Sequence, residues 1–438
     1  MSQSVLIQKT LQQLGIQELN PMQEAFIAQF QAHEELELIA PTGSGKTLAF
    51  LLPMIEMLQT DLKAIQTLVI TPTRELAIQI EDVFKKMGTS FKVNSTYGGH
   101  SMRIERNNFT EPPIVLIGTP GRLVDHFNRG TIDCSFVHTL ILDEFDKSLE
   151  MGFQDDMKII IQKLHRLKKK VLVSATEIES IPAFTKIKTP VKINFSSSIE
   201  SKLNYFKIKA KDTEKVEVLF DVLCSLPTEP TIVFCNHRDA VERISGILEE
   251  NGIQTVFYHG GLEQDERERA LIRFRNGSAY YLITTDLAAR GLDIPEVEHV
   301  IHYQLPNQEA VYTHRNGRTA RQASTGNAFV IVSDTERLPD FMQEDFTDFV
   351  FKKDSQLPNQ PDWKTIYIGG GKKDKINKID VVGFLSKIGG LQQPEIGLIS
   401  VLDHSVLVAI SARKAEQTVA KIRTEKIKGK KVKIGFAR

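Results

Sequence analysis

Ala40-Pro-Thr-Gly-Ser-Gly-Lys-Thr47 follows the apolar run Glu37–Ala40 and opens a stretch with helical spacing. Small residues in such a loop let backbone N–H groups wrap phosphate oxygens, and the helix start behind them aims its positive end at the same charge. Lys46 is placed to reach the β- and γ-phosphates, and the Thr47 hydroxyl to ligate Mg²⁺. Ala40 stands where the strict pattern has glycine, a change to another small residue. Ala40, Thr42, Gly43, Ser44, Gly45, Lys46 and Thr47 are therefore the candidate nucleotide cradle.

Moving outward, further apolar runs lie at Thr67–Thr71, Ile114–Gly118, His138–Leu142 and Lys170–Val173, each followed by a turn and a helical stretch. Continuous apolar strands alternating with helices predict a parallel sheet covered on both faces. A polar, Ser-rich stretch at Ser196–Lys202 reads as a linker. The alternation then restarts at Thr231–Phe234, Thr255–Tyr258, Tyr280–Thr284, His299–Tyr303 and Ala328–Val332. Beyond a loop at Lys352–Asp362, the tail reads as strand Thr365–Ile368, helix Ile379–Ile388, two strands, helix Ala412–Ile427 and strand Lys431–Phe436. That βαββαβ order is the RRM layout. The expected division is residues 1–198, 203–350 and 362–438: two tandem α/β domains and a small α+β one.

A chain of 438 residues has room for three domains at roughly 150 residues each. Hydrophobic content of 41% and charged content of 25% fit a globular protein that stays out of the bilayer. No run of about 20 apolar residues predicts a membrane span, and no signal peptide is evident. Cys134, Cys224 and Cys235 show no metal-ligand spacing and read as inert thiols in a reducing compartment, so a cytoplasmic location is expected. The zero net charge hides an asymmetry. Residues 362–438 hold sixteen Lys and Arg against seven Asp and Glu, and the rest of the chain carries the matching deficit. A polyanion meets the tail first.

Leu140-Ile-Leu-Asp143-Glu144 ends an apolar strand in two carboxylates, which a parallel sheet delivers to the edge where the phosphate loop also opens. Asp143 is placed to hold Mg²⁺, largely through water, and Glu144 to activate the attacking water. Phosphoryl transfer also needs positive charge on the transition state. Tyr312-Thr-His-Arg315-Asn-Gly-Arg318-Thr-Ala-Arg321 offers guanidinium groups from the second α/β domain, which predicts ATP held between the two sheets.

Taken in order, these strings resemble the DEAD-box RNA helicases over roughly residues 5–340. Leu19-Asn-Pro-Met-Gln23 resembles the Q motif, Pro72-Thr-Arg74-Glu-Leu-Ala77 motif Ia, Gly98-Gly99 the GG motif and Thr119-Pro-Gly-Arg122 motif Ib. Ser174-Ala-Thr176 is similar to motif III, Ile232-Val-Phe-Cys-Asn236 to motif IV, Thr284–Asp293 to motif V and residues 312–321 to motif VI. The resemblance implies two RecA-like domains using ATP and Mg²⁺. It also implies adenine read by Gln23, ribose bound by Asp293, and phosphates met by Arg315 and Arg318. RNA is implied along Pro72, Arg74, Gly99, Thr119, Arg122, Asn236, His259, Gln264, Arg267, Thr284 and Asp286, on loops suited to gripping a sugar–phosphate backbone. Ser174, Thr176, Asp146 and His314 are implied to couple the two sites.

Three positions depart from the family. Phe145 replaces the alanine of the name-giving motif and is expected to repack its neighbours. The aromatic expected near Leu6 is missing, which alters part of adenine binding. Ala320 replaces a glycine of motif VI, with no cost expected.

Residues 362–438 resemble the RNA-binding domain that ends DbpA/YxiN-type bacterial members, which implies a hairpin of large-subunit ribosomal RNA as target and ribosome assembly as setting. The first tail strand offers only Tyr367 for base stacking, so binding is expected from Lys372, Lys373, Lys375, Lys426, Lys428, Lys430 and Lys431. The expected protein is a monomeric, RNA-dependent ATPase that unwinds short duplexes. The rival readings are an ATP-gated RNA clamp without strand separation and a non-enzymatic RNA-binding scaffold.

Overall fold

The structure, a computed structural model, describes residues 4–41, 43–99, 102–196, 202–289, 294, 297–320, 325–352 and 356–437. These form two compact units, one built on the residues before 197 and the other on those after 201.

The first unit is a parallel sheet of seven strands: β1 (Glu35–Ile39), β2 (Thr67–Ile70), β3 (Val93–Thr96), β4 (Val115–Gly118), β5 (Thr139–Leu142), β6 (Lys169–Ser174) and β7 (Val191–Asn194), in the order β3-β4-β2-β5-β6-β1-β7. Its helices are α1 (Val5–Leu14), α2 (Pro21–Phe30), α3 (Lys46–Met54), α4 (Arg74–Lys86), α5 (Met102–Asn108), α6 (Pro120–Asn128), α7 (Phe145–Glu150) and α8 (Gln154–Lys163). Alternate residues of one strand enter different cores. Val69 and Ile141 pack with Phe26 and Phe50 on one face, while Leu68, Ile70, Leu140 and Leu142 pack with Phe145 and Met157 on the other. That double burial is why these strands read as unbroken apolar runs.

The second unit repeats the plan with β8 (Lys202–Ala210), β9 (Thr231–Phe234), β10 (Thr255–Tyr258), β11 (Tyr281–Thr284), β12 (His299–His302), β13 (Thr325–Ser333) and β14 (Thr347–Asp348), again all parallel, in the order β10-β11-β9-β12-β13-β8-β14. Helices α9 (Lys215–Ser225), α10 (Arg238–Glu250), α11 (Gln264–Arg275) and α12 (Glu309–Asn316) connect them. The long strand β8 lies outside every apolar run read from the sequence. Its Lys-rich alternation hid a strand that pairs along its whole length with β13. Part of the linker read at Ser196–Lys202 falls on residues 197–201, which lie outside the described residues.

The same unit carries a third, antiparallel sheet of β15 (Trp363–Ile368), β16 (Ile396–Val401), β17 (Val406–Ser411) and β20 (Ile434–Phe436), in the order β16-β17-β15-β20, backed by α13 (Lys378–Lys387) and α14 (Ala412–Ile422). Helix α14 stops at Ile422, five residues short of the expected end. Lys426–Ile427 (β18) instead pairs with Lys430–Lys431 (β19) around Lys428 and Gly429. Both turn residues have positive φ, 52° and 77°, the backbone of a tight two-residue hairpin. The helical reading failed because a Lys-rich stretch suits either element.

Ile366 and Ile368 point to the core under the helices, so Trp363, Thr365 and Tyr367 share the opposite face. That face is not open. Thr365 Oγ1 donates to Ser278 Oγ at 2.8 Å and accepts from Asn276 Nδ2 at 2.8 Å, both residues in the turn after α11. Leu407 and Ala409, opposite Tyr367 and Thr365 on β17, are fully buried as well. No described helix is long and apolar enough to cross a membrane.

Ala320 does carry a cost, contrary to the sequence expectation. It sits at φ 54°, in the left-handed region, buried where β13 passes close enough to require Gly326. Ala320→Gly should raise stability by roughly 0.5–1 kcal/mol, the left-handed strain less the extra chain entropy of glycine. Thermal denaturation of the two proteins checks this.

Candidate nucleotide and RNA sites

The phosphate loop leaves β1 at Ala40, turns through Gly43 (φ 81°) and Gly45 (φ 89°), and enters α3 at Lys46. It is held from outside by the Leu19–Gln23 segment. Asn20 Nδ2 donates to Ser44 O at 2.9 Å and Gln23 Nε2 to Gly45 O at 3.2 Å, while Asn20 and Gln23 cap α2 reciprocally. A Cβ at Gly45 would sit 2.5 Å from Gln23 Nε2, so only glycine lets this latch close. The Gln23 amide thus grips the loop itself in this structure. The Lys46 ammonium donates to Ala40 O (2.6 Å) and Pro41 O (2.9 Å), folding back over the loop it is expected to share with phosphate. Leu6, near the missing aromatic, is exposed.

Strands β1 and β5 flank β6, which brings the carboxylates after β5 to the same sheet edge as the loop. Asp143 is buried. Burial, reinforced by Glu144, pushes its pKa up to about 7 against the pull of Lys46 and the Glu144 N–H. Glu144 has φ 45°, a strained left-handed backbone for a non-glycine residue at the start of α7. Asp146 turns the other way, and Thr176 donates to its Oδ2 from Oγ1 at 2.8 Å and from the backbone at 3.3 Å. Ser174 Oγ donates to Thr176 O at 2.5 Å. The expected coupling residues of the first unit are therefore joined. Phe145 lies wholly inside the core, its ring 6.4 Å from that of Phe184, and leaves the Asp146–Thr176 contact in place. No group of three His, Cys, Asp or Glu suited to a metal occurs among the described residues. A cation here fits only with phosphate and water oxygens completing its shell, the usual way of Mg²⁺.

Strands β3, β4 and β2 are neighbours, so the loops after them form one continuous edge. Pro72 and Arg74 follow β2, Gly98 and Gly99 follow β3, and Thr119 and Arg122 follow β4. The Arg74 guanidinium packs against Gly98–Gly99, where a Cβ on Gly99 would stand 2.6 Å from Nη1. Sequence reasoning missed the centre of this edge. Glu105 on α5, buried, accepts from Thr96 Oγ1 (2.8 Å) and Arg122 Nε (2.8 Å) and meets His126 Nε2 at 2.6 Å. Burial alone would raise its pKa, yet those hydrogen bonds outweigh it and hold the carboxylate below its usual range. Nothing in the string Met102–Asn108 marked Glu105 as more than a surface acid.

In the second unit Asn236 and His259 lie just beyond β9 and β10 and Thr284 ends β11, three adjacent strands, with Asp286 two residues further on. Arg267 is buried on α11, and Gln264 opens that helix. His259 Nε2 lies 3.0 Å from Glu242. Arg315 on α12 is a hub. It is fully buried, donates to Asp286 Oδ1 (2.5 Å), Gln304 O (2.7 Å) and Asn236 Oδ1 (2.8 Å), and sits 5.2 Å from the Phe234 ring centroid. Asn236 and Asp286 thus turn side-chain oxygens inward. His314 and Arg318 are also buried. Thr42 and Asp293 lie outside the described residues.

The C-terminal lysines gather where the β18–β19 hairpin meets the Lys372–Lys375 turn. Lys428 Nζ donates to Lys375 O (2.7 Å) and Asp380 (3.0 Å), and Lys430 to Asp374 (3.0 Å). Lys372, Lys373, Lys375, Lys426, Lys428, Lys430 and Lys431 are all exposed. Lys426 and Lys431 face one another across the hairpin, an unfavourable like-charge pair that a polyanion would relieve.

A phosphate loop and strand-end carboxylates on one RecA-like sheet, followed by a second such sheet, define a P-loop ATPase built on two domains. Three family models match in succession: the DEAD/DEAH box helicase over residues 20–183, the helicase conserved C-terminal domain over 214–323, and the DbpA RNA binding domain over 365–435. The ATP-dependent RNA helicase DbpA of Escherichia coli is 32% identical, with 97% of this chain and 95% of that protein aligned. DbpA of Bacillus subtilis is 29% identical over 98% and 97%. The structure of Saccharomyces cerevisiae Dbp5 bound to RNA and ADP BeF3 superposes with a TM-score of 0.68 at 26% identity, covering 76% of this chain and 88% of that one. The chain belongs to the DEAD-box ATP-dependent RNA helicases of the DbpA type. It is an RNA-dependent ATPase that binds ATP and RNA.

Two outcomes follow from the geometry. Gly99→Ala both strains a φ of 97° and displaces Arg74, so RNA affinity should fall while ATP binding holds, measurable by RNA titration and nucleotide fluorescence. His302 is fully buried, and burial, then the Arg315 charge, push its pKa down to about 3 despite the bond from Nε2 to Asn316 (2.9 Å). The unfolded chain takes up a proton near pH 6.5 that the folded one refuses, so stability is full above that pH and is lost as pH falls toward 3. Between about pH 7 and 5 this amounts to roughly 2 kcal/mol. Denaturant titrations should show a shallower pH dependence in His302→Gln.

Proposed function

We propose that this protein uses ATP to open short RNA duplexes during assembly of the large ribosomal subunit, acting as a cytoplasmic monomer. One observation carries the reading: a DbpA-type RNA-binding domain with a clustered lysine hairpin lies directly behind a DEAD-box core.

In this reading Gln23 and the loop from Ala40 to Thr47 hold the nucleotide, with Asp293 on the ribose. Lys46 leaves the Ala40 and Pro41 carbonyls for the phosphates. Thr47 and Asp143 would hold Mg²⁺, which supplies charge neutralisation on the phosphates when bound. Binding the cation and phosphates favours ionised Asp143. Glu144 takes the proton of the attacking water, and Arg315 and Arg318 stabilise the charge that develops. Phosphate contact by Arg315 requires its exchange of Asp286 and Asn236 as partners. Those two residues then join His259, Gln264, Arg267 and Thr284 on the RNA backbone, continuing the track of Pro72, Arg74, Gly99, Thr119 and Arg122. Ser174, Thr176, Asp146 and His314 link that track to the nucleotide. The tail lysines hold a ribosomal RNA hairpin and raise the local concentration of the duplex to be opened.

The test is strand displacement on a short duplex attached to a large-subunit rRNA hairpin. Wild type should release the strand only with ATP. Glu144→Gln should lower RNA-stimulated phosphate release by about 10²–10⁴-fold with ATP binding retained. ATP-dependent RNA retention without strand release would replace the unwinding reading with that of a clamp.

A further inference from the structure

Glu105 is a buried acid on an edge otherwise suited to a polyanion. Only 4% of it is exposed, and the RNA track described above gives it no part. A carboxylate so placed costs desolvation, and it repels any phosphate that approaches the same edge. Its contacts supply the offsetting gain.

One oxygen, Oε2, gathers three segments of the chain. Thr96 Oγ1 at the end of β3 donates to it at 2.8 Å, and Arg122 Nε on α6 donates at 2.8 Å. His126 Nε2, one turn further along α6, stands 2.6 Å away. The His126 ring is itself fixed. Its Nδ1 lies 2.6 Å from Thr131 Oγ1, and the Phe109 ring meets it edge-on with centroids 5.1 Å apart. The carboxylate is thus anchored from the side away from Arg122.

The effect falls on the segments after β3 and β4. Gly98 and Gly99 lie between Thr96 and Glu105 in the chain, so the Thr96–Glu105 bond closes the loop that carries them. In Arg122 the bond takes Nε, which fixes the plane of the guanidinium and with it the directions of Nη1 and Nη2. Asp125 is the competing partner. Its Oδ2 is 3.7 Å from Arg122 Nη1, beyond hydrogen-bond reach, while its Oδ1 meets Arg129 Nε at 2.6 Å. Without Glu105 the guanidinium would turn toward Asp125 along the surface of α6. Arg122 is not sealed in, since 13% of its side chain remains exposed. Freezing a long side chain and a loop ahead of binding removes an ordering cost that association otherwise carries.

We propose that Glu105 is a positioning residue for RNA, holding the Arg122 guanidinium and the Gly98–Gly99 loop in one arrangement ready for the sugar–phosphate backbone. Glu105 acts through these groups and makes no RNA contact of its own. The inference rests on the reading of Gly99 and Arg122 as RNA contacts given above.

The experiment uses the full-length protein and a labelled single-stranded oligoribonucleotide. It measures RNA affinity with a non-hydrolysable ATP analogue present, and the phosphate-release rate at saturating RNA. Glu105→Ala should weaken RNA binding about 10-fold and leave the saturated rate near that of wild type. Glu105→Gln keeps an acceptor oxygen for Arg122 and Thr96, so its affinity should stay within about 3-fold of wild type. In an Arg122→Met background Glu105→Ala should add less than about 3-fold, because the group it orients is gone. Thr96→Val removes one bond to the carboxylate at nearly constant shape. It covers the case in which Glu105→Ala does not fold, and should weaken RNA about 3-fold with the saturated rate held. Full multiplication of the Glu105 and Arg122 effects, or a lower saturated rate at unchanged affinity, marks Glu105 as a general support of the fold and overturns the proposal. Wild-type affinity in Glu105→Ala, where Arg122→Met weakens binding, overturns the proposal alone. Wild-type affinity in Arg122→Met overturns the RNA reading of this edge and the proposal with it.

Discussion

A parallel strand covered on both faces has no room for polar chemistry along its length, so its function gathers where it ends. Both large sheets obey this constraint. The phosphate loop follows β1, the paired acids follow β5, Ser174–Thr176 closes β6, and the loops carrying Arg74, Gly99 and Arg122 follow β2, β3 and β4. Each strand contributes little alone. Their order in the sheet turns scattered sequence strings into two adjoining clusters on one edge.

The polar side chains at these strand ends are held by protein partners. Lys46 rests on two carbonyls, Gln23 on Gly45, Thr176 on Asp146, and Arg315 on Asp286 and Asn236. Every one of these bonds satisfies a group that burial would otherwise penalise, at about 1–3 kcal/mol for an unmet buried donor or acceptor.

The sequence revealed what depends on local order: the apolar runs, the glycine-rich turn, the strand-end acids and the lysine-rich tail. It was silent where contacts join distant residues. Glu105 collects Thr96, Arg122 and His126 from three separate segments, and no spacing rule announces such a hub. Strand β8 and the early end of α14 were missed because alternating lysines fit strand, helix or turn, and only pairing with β13 or a hairpin partner decides. The positive φ of Ala320 is likewise set by the close passage of Gly326. Tyr367 was the ring the sequence offered for stacking on the first tail strand, and the lobe fastened to Thr365 on that face is what keeps the face from standing open.

The Thr365–Asn276–Ser278 fastening has a consequence for how tightly a tethered substrate is presented. A recognition module on a loose string offers its cargo at a concentration diluted over every orientation the string allows. A module bolted to the catalytic body offers it at a fixed bearing, and its effective molarity becomes a property of geometry rather than of chain length.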